Sequence, residues 1–109
     1  MEKIEILYTL NTEKYLVALI DILYNKEYFS QLEIAKKYVT AIMIGIESSI
    51  KIKQYKSTPI ALIKHGSFYI AFKANKHTTW YAFFNIKENK YLIRHITNNH
   101  QKEASFLNK

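Results

Sequence analysis

The chain has no cysteine, one proline, two glycines and one arginine. Without thiols it has no disulfide and no thiolate metal site, and the reducing cytoplasm is the default location. So little glycine and proline beside 49% hydrophobic residues excludes a disordered or low-complexity chain. Long apolar runs are also missing: none approaches the ~18 residues that a membrane helix needs. MEKIEILYTL carries an early acid and too short an apolar stretch for a secretory signal. We therefore expect a cytoplasmic protein with no membrane partner. At 109 residues, one domain over 1–109 can bury a core unaided.

Acidic residues are scarce in one half only. Residues 1–50 carry five Lys against seven acids, net −2, whereas residues 51–109 carry ten Lys, one Arg and two acids, net +9, which together give +7. This segregation sets up a one-sided positive field suited to a polyanion, above all a nucleic acid. Simple lysine solvation is the competing explanation for each residue.

What is present divides cleanly by period. Ile4, Ile6 and Tyr8 alternate with polar neighbours, as in a half-buried strand. Asn11 or Thr12 then offers a cap, and Leu16, Leu19, Ile20 and Leu23 predict a helix over about 12–25. Ser30-Gln31-Leu32-Glu33 has capping-box spacing, and Leu32, Ala35, Val39, Ile42, Met43, Ile46 and Ile50 form the stripe of a second helix. The few residues between these two predict a tight helical hairpin. Gly45 weakens the second helix but admits a close neighbour. Pro59 ends the helical region and predicts a strand near Ile60–Lys64, with His65-Gly66 as a turn.

Three runs rich in aromatic and β-branched residues follow, in SFYIAFKANKHTTWYAFFNIKENKYLIRHITNNH. In the first, Phe68, Ile70 and Phe72 should face the core, and Tyr69, Ala71 and Lys73 should be more exposed. Thr78–Ile86 is apolar on both parities, as a central strand covered on both sides would be. Lys90–Thr97 is the last strand, and Asn98-Asn99 leaves His100 on a loop or strand end. The fold expected is α+β, in the order β-α-α-β-β-β, with the helical hairpin on one face of a small, twisted, mainly antiparallel sheet. The other face is then free to present basic and polar groups.

This order, with EKYLVALIDILY and QLEIAKKYVTAIMIGIES as helices and NKHTTWYAFF paired to KYLIRHITNNH, resembles the RelE/ParE toxins of bacterial type II toxin–antitoxin systems. The resemblance covers nearly the whole chain. It implies a partner antitoxin and one of two activities. RelE-type members are ribosome-dependent, metal-independent endoribonucleases that cut mRNA, and ParE-type members poison DNA gyrase. A noncatalytic basic module of the same fold, binding nucleic acid or protein, is the third possibility. The histidine that serves as general acid in YoeB-type enzymes aligns with His100 within one or two positions. Where RelE presents lysines, this chain has Tyr69 and Ala71, with Lys73 one alternation further. Where an arginine opens the next strand, it has Thr78 or Thr79, flanked by Lys76 and His77; the C-terminal arginine falls near Gln101.

RNA cleavage through the 2′-hydroxyl needs a base, an acid for the departing 5′-oxygen, and cations on the phosphate. The catalytic candidates are His100 as acid or base, Lys73 and Arg94 on the phosphate, and Tyr69 as a hydrogen-bond donor or stacking ring. For contacts along the RNA the candidates are Lys51, Lys53, Lys56, Lys64, Lys76, His77 and Tyr81, whereas Trp80 reads as core. Arg94 has a structural alternative in pairing with Glu88 or Glu103. His65, His77 and His95 share no recognisable ligand spacing with His100, so neither metal nor cofactor is expected.

Overall fold

Strand β1 (Glu5–Tyr8) leads directly into helix α1 (Leu10–Asn25) in the computed structural model, which describes residues 3–25 and 31–107. The cap of α1 comes earlier than expected. Thr9 Oγ1 accepts from the Thr12 N–H at 3.2 Å, which frees Thr12 to donate to the carbonyl of Ile93, 3.3 Å away. Helix α2 spans Leu32–Lys51 with Gln31 at its N-cap position. Ser30 and the connection between the helices lie outside the described residues, and Glu33 contacts Lys36.

The sheet runs β1-β5-β4-β3-β2, where β2 is Lys56–Ser57, β3 Phe68–Lys73, β4 Thr79–Lys87 and β5 Lys90–Asn98. All pairs are antiparallel except β1 with β5. Helices α1 and α2 pack on one face, as expected. Leu16, Leu19, Val39, Ile42, Ile46 and Ile50 meet Ile70, Trp80, Ala82, Phe84, Ile93 and Ile96 there. The apolar stripes thus find their cover, except at Leu32, which stays exposed at the start of α2, and fully burying one such side chain contributes about 1.5–3 kcal/mol. Gly45 lies beneath the ring of Phe72, where a Cβ would come 2.3 Å from Cε1.

Two expectations change. Ile60–His65 is a 3₁₀ helix rather than a strand, because the Pro59 carbonyl accepts the Leu62 N–H at 2.9 Å and only Leu62 of this segment is buried. Gly66 ends it at φ +150, against the backbone of Phe84. The second change concerns the face opposite the helices, which is not fully free. This 3₁₀ helix and another at Lys102–Phe106 lie over it, and Leu62 and Ala104 pack on Tyr81 and Phe83. That cover explains the double-sided burial of Trp80–Phe84.

Among the described residues, no helix is long and apolar enough to cross a membrane.

Candidate functional site

The pairing of β4 with β5 slips at one place. Phe83 faces His95 and Phe84 faces Ile93, so Arg94 has no partner across the ladder. Such a bulge re-aims the side chains beside it. It sets exposed Arg94 next to His95. Strand β1 borders β5 only at Lys90–Ile93, so beyond the bulge the edge of β5 lies between α1 and the second 3₁₀ helix. A groove of about 780 Å³ opens there, lined by Tyr15, Arg94, His95, Thr97, Lys102 and Glu103 among others.

Three elements converge beside this groove, two of them through residues that line it, His95 and Glu103. His95 comes from β5, His65 from the end of the first 3₁₀ helix and Glu103 from the second. The two imidazoles stack with centroids 3.9 Å apart and planes 12° from parallel, and Phe83 packs beside both. One carboxylate oxygen of Glu103 lies 2.8 Å from His95 Nε2, and the other lies 3.7 Å from His65 Nε2. The second separation is too long for a hydrogen bond, and His65 Nε2 is buried with no hydrogen-bond partner.

Burial, reinforced by neighbouring His95, lowers the pKa of His65 below its ordinary value, which favours the neutral ring. For Glu103, burial alone would push the carboxyl up. Hydrogen bonds from His95 and Thr97, with the charge of the nearby imidazoles, outweigh it and leave the pKa lowered. Tyr15 is raised, by burial first and then by the Glu103 carboxylate. The cluster therefore holds a carboxylate that orients an imidazole, a recurring device for fixing which ring nitrogen carries the proton.

The residues expected to form the catalytic centre are dispersed. Tyr69 and Lys73 stand on β3, Tyr69 tilted against Tyr81 and Phe83. His100 follows the end of β5, with Nε2 3.1 Å from Thr78 Oγ1, beside a crevice lined by Tyr38 and Trp80 from the helical side. Arg94 lines the groove and His100 the crevice, two clefts that have Tyr15 and Gln101 in common.

The proposed RNA contacts are also spread. Lys51, Lys53 and Lys56 are exposed from the end of α2 to β2, Lys64 belongs to the first 3₁₀ helix, and Lys76 and His77 belong to the β3–β4 turn. Tyr81 is only 5% exposed, which leaves its ring no room to stack on a base. Glu103, one of two structural partners expected for Arg94, binds His95 instead.

Sequence reading missed the cluster because its members are far apart in the chain and two of them sit on 3₁₀ helices, which have no long periodic pattern. A signal was nonetheless present: His95 is flanked by the only arginine, and Glu103 is one of only two acids after residue 50. No family model, curated protein or solved structure matches this chain, so the likeness to RelE/ParE toxins rests on its element order and residues alone.

Proposed function

We propose that this protein is a toxin of the RelE/ParE type that cleaves mRNA on the ribosome in the cytoplasm by 2′-hydroxyl attack, and that a cognate antitoxin restrains it. The observation that carries the reading is the His65–His95–Glu103 cluster opening beside Arg94, on the half of the chain with net charge +9. In this scheme His95 exchanges the proton, Glu103 holds its ring in place, and Arg94 steadies the phosphate with a two-pronged contact. Lys102 adds a second cation at the groove. His95 takes the proton of the 2′-hydroxyl as that oxygen bonds to phosphorus and the P–O5′ bond breaks, and the departing 5′-oxygen is protonated from solvent, giving a 2′,3′-cyclic phosphate and a free 5′-hydroxyl. His65 packs on His95 and restricts its movement.

Expression from a tightly controlled promoter, followed by primer extension on cellular mRNA, tests the reading. Codon-periodic cuts should appear, and His95→Gln or Arg94→Ala should reduce them by about 10²-fold or more, the usual scale of general acid–base loss. His100→Ala should leave them in place. Growth arrest with intact mRNA and damaged DNA would instead indicate a gyrase inhibitor, and a folded protein without toxicity would indicate a noncatalytic binding module.

A further inference from the structure

We propose that His65, His95 and Glu103 form a binding site for a divalent first-row transition ion, with Zn²⁺ the best fit, and that the bound ion silences the groove. One donor atom from each residue lies within 4.8 Å of the other two. Zinc bonds to imidazole nitrogen at about 2.0–2.1 Å and to carboxylate oxygen at about 2.0–2.2 Å, so tetrahedral ligands stand roughly 3.4 Å apart. The two histidine–Glu103 separations, 2.8 and 3.7 Å, already bracket that value, and the widest pair has to close by at most about 1.4 Å. Closing the cluster requires the two stacked rings to splay apart when the ion enters.

Three features favour an ion over a cluster bridged by protons. Two imidazoles and one carboxylate are a donor set suited to zinc, which leaves a fourth position for water or an anion. His65 Nε2 is buried without a hydrogen-bond partner, an expense that coordination removes. The ligands also come from β5 and two separate 3₁₀ helices, so one ion ties together elements that otherwise meet through Leu62 and Ala104. Two of the three ligands, His95 and Glu103, line the groove together with Arg94, whose charge would suit an anion such as chloride or phosphate at the ion's open position.

The silencing part rests on the proposed RNA cleavage, since an ion that takes the His95 lone pair removes the proton acceptor; the binding part does not. Metal-free protein would be titrated with Co²⁺ and followed by visible d–d absorption, with Zn²⁺ competition by calorimetry and folding checked by circular dichroism. We expect one ion per chain, roughly 100-fold weaker binding or worse in His65→Ala and in Glu103→Gln, since loss of outer-sphere partners alone weakens metal sites by about 10–100-fold. His100→Ala should bind as the parent does. Absence of the band, or an unchanged band in both ligand variants, overturns the site; Glu103→Gln keeps the test open should His65→Ala fail to fold.

The same preparations would then be assayed on ribosome-bound mRNA. Cleavage by metal-free protein that stops with one equivalent of Zn²⁺ supports silencing, and cleavage indifferent to Zn²⁺ overturns it. Ion binding without cleavage in any state leaves the metal site standing and removes the ribonuclease reading.

Discussion

Tyr8 shows how a residue from an exposed edge strand becomes tied to the helical layer. Its hydroxyl donates to the carboxylate of Glu47 on α2, thirty-nine residues away, and burial followed by this interaction pushes the phenol pKa well above its ordinary 10.0. Burial raises Tyr15 and Tyr81 as well. A phenol that holds its proton more tightly when folded stabilises fully below the unfolded value, and this contribution is lost as pH rises beyond it. The denaturation midpoint should therefore fall as pH passes 10.0, and more steeply in the parent than in Tyr8→Phe. Equal slopes would remove Tyr8 from the account.

Between elements, Gly45 lets α2 approach the sheet closely beneath the ring of Phe72. Replacing Gly45 with Ala gains about 1 kcal/mol of helix propensity but forces the ring to move, and overpacking of this kind costs about 1–3 kcal/mol. Gly45→Ala should lower unfolding free energy by about 1 kcal/mol in urea titrations, and in a Phe72→Leu background the same change should become neutral or stabilising. A loss of equal size in both backgrounds would place the strain elsewhere.

Gly45, both helices and the three long strands were legible in the sequence: the helices and β3 through their period, β4 and β5 through runs of aromatic and β-branched residues bounded by polar turns. Ile60–His65 was misread because a six-residue segment with a single buried anchor, Leu62, is too short to declare a period. The last strand hid its faces for another reason. With Arg94 inserted in the ladder, Ile93 and Ile96 both face the helices across a two-residue gap, so strict alternation fails where His95 is aimed. Its neighbours in the cluster are thirty residues before it and eight after it, with nothing in the spacing to join them.

Across the molecule, the excess of positive charge is a surface rather than a spot. The exposed lysines extend from the end of α2 to the β3–β4 turn, while Arg94 and Lys102 line the groove itself. Long-range attraction should therefore bring RNA to this half of the chain before any specific contact forms. If only the two groove cations meet phosphates, log affinity for single-stranded RNA should fall against log salt with a slope of about −1.4, and more steeply if outlying lysines engage. Fluorescence anisotropy with a labelled oligonucleotide measures this directly, and Arg94→Ala should flatten the slope by about 0.7. A slope near zero would mean that the charge serves solubility instead of binding.

The partner that β1 needs lies far along the chain. Glu5 is aligned with Lys90, so β1 has its sheet neighbour synthesised eighty-five residues later. At about 5–20 residues per second, a nascent chain spends several seconds with that edge unsealed. Because Glu103 follows β5, the groove cannot close until both β5 and the second 3₁₀ helix have been made, well after β1.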